Sequence, residues 1–148
     1  MLMRLIYASE AVQTLSPGQV DDILRTARAR NQQRDITGLL AFDYRCFLQL
    51  LEGDREALSD LYARLLRDAR HGRLLLIHCA PIDERQFSDW SMGYVAAGPS
   101  QRRLLLRHTQ SSQFDPYRLG PASAVALLTA MSQAGQAEAG APALSQAA

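Results

Sequence analysis

The 148-residue chain contains no lysine, so all sixteen of its basic residues are arginine. A GC-rich coding bias is a simpler explanation for this than a functional demand for guanidinium groups. Fifteen acidic residues nearly balance the arginines, and the formal net charge is only +1. A chain with this balance carries no general attraction for polyanions, so we expect no nucleic-acid partner.

Long apolar runs and cysteines are also scarce. No run approaches the roughly 18 apolar residues that indicate a membrane-spanning helix, and the N-terminus lacks the pattern of a signal peptide. The two cysteines, Cys46 and Cys79, lie inside apolar runs without metal-ligand spacing. They indicate small buried side chains rather than a disulfide framework. We therefore expect a cytoplasmic protein that does not contact a membrane.

Sequence motifs of common enzymes are absent as well. The chain has no G-x-G-x-x-G, P-loop, H-E-x-x-H, G-x-S-x-G or paired C-x-x-C motif. Its three histidines, at positions 71, 78 and 108, are too dispersed in sequence to indicate a metal site. The patterns therefore favour neither an enzyme nor a metalloprotein.

What the chain does contain is an orderly series of short apolar runs and helical patterns. Apolar runs predict strands at 2–8, 36–42, 46–51, 74–80 and 92–97, and helical spacing predicts helices at about 17–31 and 54–69. The order β-α-β-β-α-β-β is typical of an α+β, ferredoxin-like fold. In that fold a mixed five-stranded sheet has two helices on one face.

The C-terminal third predicts a cover for the other face of the sheet. Residues 99–133 return to a helical pattern and form a C-terminal helical extension of the domain at 1–98. Residues 134–148 are rich in alanine and lack aromatic residues, so they cannot bury enough apolar surface to offset the entropy of ordering. We expect this last segment to be a disordered tail.

Several polar side chains lie in or beside the apolar runs, notably Tyr7, Gln49 and the Trp90-Ser91-Met92 cluster. A polar group in a buried strand needs a hydrogen-bond partner. Gln49 is flanked by apolar neighbours on both sides, and its amide offers both donors and an acceptor. Taken alone, Gln49 is explained equally well by a solvent-facing strand position.

Five separated segments resemble the BLUF family of blue-light receptors, and the resemblance extends over about residues 3–98. The segments are RLIYAS at 4–9, Asn31 with ITGLL at 36–40, FLQLLEG at 47–53, DARH at 68–71 and FSDWSM at 87–92. The resemblance implies a non-covalently bound FAD whose ring lies between the two helices. Asp35 stands where many relatives have glycine, and Arg30 where some have a second asparagine, so contacts to the ring edge are expected to differ in detail.

The resemblance also implies roles for individual residues. Tyr7 and Gln49 would form the photochemical pair, and Trp90 or Met92, on or just before strand five, would relay the signal. The implied flavin-binding residues are Asn31, Gln49, Asp68, Arg70 and His71. Taken singly, Asn31 is better explained as a helix cap, and the charges at 68–71 are more typical of a solvated helix end.

The mechanism implied by the resemblance begins with electron loss from Tyr7, whose phenol is neutral before illumination. Its proton would pass to Gln49, which would return in another orientation or tautomer and donate to the flavin C4 carbonyl, shifting absorption to the red. The output would be a change in homo-oligomerisation or in docking to a separate effector protein. Two alternatives are a small flavin reductase and a ferredoxin-like ligand-binding module without photochemistry.

Overall fold

A computed structural model describes residues 1–139 of the chain, which contain five strands and four α-helices. The strands are β1 (Leu2–Ala11), β2 (Thr37–Phe42), β3 (Cys46–Asp54), β4 (His71–Pro81) and β5 (Gly93–Ala96). The helices are α1 (Pro17–Gln33), α2 (Arg55–Arg67), α3 (Arg102–His108) and α4 (Pro121–Ala139). The element order matches the predicted one.

The strands form one mixed sheet in the order β4-β1-β3-β2-β5. The first four strands pair antiparallel, and β5 joins the edge parallel to β2. Helix α1 connects β1 to β2 and helix α2 connects β3 to β4, which is the split β-α-β arrangement of a ferredoxin-like fold. The predicted α+β architecture is therefore confirmed.

Side chains alternate between the two faces of the sheet, which bury separate cores. One core lies under α1 and α2 and includes Leu5, Phe42 and Leu51 of the strands. The other includes Leu48 and Leu50 and packs against the C-terminal helices. Helices α3 and α4 therefore cover the face that α1 and α2 leave open, as predicted.

Several element boundaries differ from the predicted ones. Strand β1 extends to Ala11 rather than ending near position 9, because it pairs with His71 and Gly72 at the start of β4. The same pairing makes His71 the first residue of β4, three residues before the predicted start of that strand. The chain leaves α2 earlier, at Asp68, whose backbone is extended and whose N–H donates to Leu65 O.

Helix α4 extends to Ala139, beyond the predicted boundary at 133, since alanine, glutamine and glutamate are all favourable in helices. The rest of the predicted tail, 140–148, lies outside the described residues. Among residues 1–139, no helix has the length and apolarity needed to cross a lipid bilayer.

Two other expectations are corrected by the structure. Cys46 is buried, but Cys79 is exposed because β4 is an edge strand. Strand β3 continues through Glu52 to Asp54, and Glu52 is completely buried within it. Its carboxylate accepts hydrogen bonds from Arg4 at 2.8 Å and from the backbone N–H groups of residues 86 and 87. The buried carboxylate therefore fastens the connection between β4 and β5 to the centre of the sheet.

Candidate functional site

A cleft lies between α1 and α2, with the sheet as its floor. Its empty volume is about 900 Å³ when the open space at its mouth is included. The walls are largely apolar, and the apolar wall residues recur at helical spacing. They are Ile23, Leu24 and Ala27 on α1, and Leu61 and Leu65 on α2. Two opposed apolar walls of this kind suit a flat, partly apolar ligand.

Tyr7 and Gln49 lie side by side on the floor of the cleft. They are directly paired residues of β1 and β3, so their side chains point to the same face. The Tyr7 hydroxyl donates a hydrogen bond to Gln49 Oε1, and both residues are less than one tenth exposed. Burial, together with the charge of Asp68, raises the pKa of the Tyr7 phenol far above its ordinary value. The phenol is therefore held in its neutral form.

Met92 completes this row of contacts. Gln49 Nε2 donates to the Met92 sulfur at 3.2 Å, and Met92 is completely buried. One amide thus uses its oxygen toward Tyr7 and its nitrogen toward Met92. The assignment of oxygen and nitrogen follows from these two partners, since Tyr7 supplies a donor and a thioether sulfur supplies only a weak acceptor.

Trp90 lies on the other side of the sheet and does not line the cleft. Its ring stacks near Phe87, with 6.2 Å between centroids, within the core that faces the C-terminal helices. The indole Nε1 is buried and has no hydrogen-bond partner among residues 1–139. The two predicted relay residues therefore occupy opposite faces, with Met92 toward the cleft and Trp90 toward α3 and α4.

Asn31 is buried at the end of α1, where it lines the cleft. Its Nδ2 donates to Ser91 O at 2.8 Å. The Nε of Arg28, one helical turn earlier, donates to Met92 O at 2.9 Å, and Gly38 N donates to Trp90 O at 3.0 Å. Three consecutive carbonyls in the segment before β5 are thus fastened, two of them to α1.

Asp68 and Arg70 form an ion pair at the mouth of the cleft, with 2.6 Å between Arg70 Nη2 and Asp68 Oδ2. Hydrogen bonding from Arg70 lowers the pKa of the Asp68 carboxyl to about 2. His71 also lines the cleft, but its ring nitrogens lie 2.8 Å from Ser9 Oγ and 2.8 Å from Leu65 O. All five predicted flavin-binding residues thus line one cleft, although His71 and Arg70 are already occupied by protein partners.

Sequence reasoning gave no role to Arg28 or Arg64, and it noted Arg30 only as a departure from the family pattern. Arg30 and Arg64 line the cleft, and Arg28 fastens its back wall to the segment before β5. The available signal was their spacing from residues that were singled out: Arg28 lies three positions before Asn31, and Arg64 lies four before Asp68. Asp35 is explained by its backbone, since its φ of 53° is in the left-handed region that favours glycine and tolerates aspartate.

Within the described residues, no three His, Cys, Asp or Glu side chains cluster in a way that could bind a metal ion. The polar groups that line the cleft are two amides, a phenol, arginines, the Thr26 hydroxyl, the Asp68 carboxylate and the His71 imidazole. Such groups hydrogen-bond to the carbonyl and N–H edge of a heterocyclic ring, while the apolar walls contact its faces.

Comparison with known proteins identifies this arrangement. The sequence profile of the BLUF family, described as sensors of blue-light using FAD, matches residues 2–93. The photoactivated adenylate cyclase subunit beta of Euglena longa is 38% identical over 92 residues, which are 62% of this chain and 11% of that protein. The chain therefore spans only a small part of the length of such relatives.

Two solved structures match over most of their own length. The photo-activated state of BlsA has a TM-score of 0.80 at 29% identity, and the match covers 88% of this chain and 94% of that one. The dark state of BlrB, a BLUF protein, has a TM-score of 0.72 at 31% identity, and the match covers 88% of this chain and 93% of that one. The C-terminal helices of this chain therefore belong to the shared structure, since the matches extend well beyond residue 93.

The residues of the cleft fit FAD. Apolar side chains on both helices provide surfaces for the faces of an isoalloxazine ring, and Gln49 and Asn31 provide amides at its floor and back. Asn31 Oδ1 accepts no hydrogen bond from residues 1–139, which leaves it available to a ring N–H. The Nε of Arg64 is buried without a partner in the same part of the chain. Both groups can form hydrogen bonds with the polar atoms of a flavin.

Proposed function

The chain belongs to the BLUF family of blue-light sensors that use FAD, and on that premise we propose that it signals through the hydrogen bonds joining Tyr7, Gln49 and Met92. The family membership confirms the resemblance seen in the sequence. The observation that carries the proposal is the position of Gln49, which contacts a phenol on one side and a thioether on the other. Rotation of this buried amide would break both hydrogen bonds, because its oxygen faces one partner and its nitrogen faces the other.

Tyr7 and Gln49 are suited to a coupled transfer of an electron and a proton. Bound FAD supplies the absorption of blue light and the acceptor for the electron. Loss of an electron makes the Tyr7 phenol strongly acidic, and its hydroxyl proton already points at Gln49 Oε1. Gln49 accepts that proton, and the proton and electron return to Tyr7 while the amide is left in another orientation or tautomer.

A reoriented Gln49 no longer presents its nitrogen to Met92. Met92 is fixed through its backbone carbonyl to Arg28, and the preceding carbonyl is fixed to Asn31. Because these hydrogen bonds hold the backbone at 91–92, a change at the Met92 side chain shifts the ordered segment before β5. Val95 of β5 and Trp90 both pack in the core that faces the C-terminal helices. We propose that α3 and α4 receive the signal by this route.

The output is a change in self-association or in the docking of a separate effector protein. The BLUF relatives from Euglena are adenylate cyclase subunits of which the matched region forms a small part. Because the region shared with those cyclases is the blue-light sensor domain, we propose that this chain is a light-sensing module rather than an enzyme. A flavin reductase or a ligand-binding module without photochemistry would have to leave the Tyr7–Gln49 contact without a role.

The decisive experiment is an absorption spectrum of the purified protein before and after blue light, for the unmodified chain and for Tyr7→Phe. The unmodified protein should contain oxidised flavin whose main bands shift slightly to the red and return in darkness. Tyr7→Phe keeps the ring volume and loses only the hydroxyl, so it should retain flavin without forming the shifted state.

Other outcomes would contradict the proposal in distinct ways. A colourless protein would indicate a different ligand, and steady oxidation of NAD(P)H would indicate a reductase. Bleaching of the visible band would indicate a thiol adduct, although neither Cys46 nor Cys79 lines the cleft. A normal red shift in Tyr7→Phe would remove Tyr7 from the mechanism.

A further inference from the structure

Glu52 is a buried carboxylate outside the cleft. It shares one face of β3 with Leu48 and Leu50, which is the face opposite the cleft. Nε and Nη2 of Arg4 donate to its Oε2 at 3.1 and 2.8 Å, and the backbone N–H groups of residues 86 and 87 each donate to its Oε1 at 2.9 Å. A buried ion pair is weak evidence for added stability, because desolvation opposes the attraction. Its defined geometry instead fixes the connection at 86–87 in one position.

The residue before this pair is held as well. Arg85 is half-buried, and its Nη1 donates to Thr37 Oγ1 at 2.9 Å and to the backbone O of Glu52 at 3.1 Å. Residues 85–87 are thus bound to β2 and β3. Only two exposed residues, 88 and 89, separate them from the segment at 90–92.

Phe87 and Trp90 extend this held position into the core opposite the cleft. Phe87 is buried, and its ring centroid lies 6.2 Å from that of Trp90. The Trp90 ring also lies against the first residue of β5, since a Cβ on Gly93 would be 3.1 Å from Trp90 Cε3. Trp90 therefore has one neighbour in the held stretch and another in β5.

The other end of the segment responds to the cleft. Helix α1 holds the carbonyls of residues 91 and 92, and the Met92 sulfur accepts a hydrogen bond from Gln49. If the connection before this segment were loose, a shift at Met92 would be absorbed within the connection. Because Glu52 holds the connection, the same shift has to move Trp90 and the start of β5.

We propose that Glu52 is a positioning residue for signal relay, which holds 86–87 so that a shift at Met92 moves Trp90 and β5. The inference rests on the proposed response of Met92 to Gln49, and it adds the anchor against which that response acts. It gives a role in signalling to a carboxylate that does not line the cleft.

The fluorescence of Trp90 tests this role in the full-length, flavin-loaded protein, because Trp90 is the only tryptophan of the chain. In the unmodified protein, the red shift should be accompanied by a reversible change in tryptophan fluorescence. Glutamine has nearly the shape of glutamate, but its amide has no charge and a single acceptor oxygen for Arg4 and the two N–H groups. In Glu52→Gln the red shift should form normally, and the light-induced fluorescence change should be largely lost.

Two further variants accompany Glu52→Gln. Arg85→Met removes the hydrogen bonds to Thr37 and to Glu52 O but keeps the pair of Glu52 with Arg4, so it should fold and lose part of the fluorescence change. Glu84→Gln is the matched control, since Glu84 is an exposed glutamate of the same connection. It should leave the red shift and the fluorescence change as they are in the unmodified protein.

The two spectra separate failure of the anchor from failure of the light sensor. A normal fluorescence change in folded Glu52→Gln would overturn the positioning role and leave the proposed function intact. Loss of the red shift itself in this variant would also overturn the role, because Glu52 would then act on the cleft.

The remaining outcomes are equally distinct. If Glu52→Gln does not fold, an unchanged fluorescence response in Arg85→Met overturns the positioning role. A red shift without any fluorescence change in the unmodified protein would overturn the relay to Trp90 and leave the photochemistry of Tyr7 and Gln49 intact. Absence of a red shift in the unmodified protein would overturn both proposals.

Discussion

The two faces of the sheet are built from the same strands but are covered differently. On the C-terminal face, Leu127, Leu128 and Met131 of α4 fill the space above the strands and are completely buried. On the opposite face, α1 and α2 stand apart and leave a cleft whose floor includes Tyr7 and Gln49. One face is closed by apolar side chains, and the other keeps an opening lined by polar groups.

The difference shows how strand alternation separates stability from signalling. Leu48 and Leu50 point to the packed face, and Gln49 between them points to the cleft. A change in the hydrogen bonds of Gln49 therefore does not have to disturb the main apolar core. The segment at 90–92 contributes side chains to both faces of the sheet. Met92 packs on the side of the cleft, and Trp90 packs on the side of the C-terminal helices.

The largest effect that this comparison predicts is complete loss of the light response in Gln49→Leu. The two side chains are close in volume, but leucine can neither accept from Tyr7 nor donate to Met92. Flavin should remain bound, and the free energy of unfolding should fall by at most about 1–3 kcal/mol, because the buried Tyr7 hydroxyl loses its acceptor. The measurement is a pair of absorption spectra, in darkness and after blue light, together with denaturant unfolding.

Gln33→Leu provides the control, because Gln33 is an exposed residue at the end of α1 outside the cleft. Its reversible red shift should be normal. A normal shift in Gln49→Leu would instead place the switch elsewhere and contradict the proposed separation of the faces.

The sequence was sufficient to predict most of the fold and the pair at the floor of the cleft. Apolar runs with intervening helical patterns specify the order of elements. The pairing of Tyr7 with Gln49 was implied by the family resemblance, because Gln49 taken alone was explained equally well by a solvent-facing strand position. The edge position of β4 was not predictable, because its apolar run resembles that of a central strand although Leu75 and Leu76 are exposed. Cys79 was misjudged for the same reason.

The arginines of the cleft and the orientation of Trp90 were missed in the sequence for different physical reasons. A long charged side chain on a helix usually reaches solvent, and its facing a cleft depends on how two helices oppose each other. Trp90 and Met92 precede β5 in an irregular segment with no period to assign a face. Glu52 was missed because a carboxylate becomes tolerable in a buried strand only through partners distant in sequence, here Arg4 and the backbone at 86–87.

A substitution in the packed face should alter the light-induced red shift less than Gln49→Leu does, but it should lower the stability of the protein more. Leu127→Ala removes a completely buried side chain and should lower the free energy of unfolding by about 2–5 kcal/mol. The red shift should persist at temperatures where the protein is folded, since no residue of the cleft is altered. Denaturant unfolding and dark and illuminated spectra measure the two effects on the same sample.

Leu106→Ala is the matched control for that substitution, because Leu106 is a leucine of α3 that is half exposed. Its unfolding free energy should change by less than about 0.5 kcal/mol. If Leu127→Ala abolished the red shift in folded, flavin-bound protein, the packed face would be part of the photochemical site and the division between the faces would fail.

The smallest effect concerns the ion pair at the mouth of the cleft, where solvent reaches the charges. The folded-state pKa of Asp68 is lowered from 3.8 to about 2, so its stabilising contribution is present above about pH 4 and is lost as the pH falls through about 2. Arg70 is half exposed in this pair, so screening should limit the contribution to less than about 1 kcal/mol. Asp68→Asn should therefore be slightly less stable than the unmodified protein at neutral pH.

The pH dependence of this small difference is its test. Denaturant unfolding of both proteins at about pH 7, 4 and 2 should show the stability difference shrinking between the last two values, because protonated Asp68 resembles asparagine in charge. Asp22→Asn is the control, since it removes an ion pair with Arg25 that is exposed on both sides and whose members do not line the cleft. Its effect at neutral pH should be smaller still. A difference for Asp68→Asn that persists unchanged at about pH 2 would mean that Asp68 stabilises the mouth of the cleft by packing and not by its charge, because no ionised carboxylate would remain to pair with Arg70.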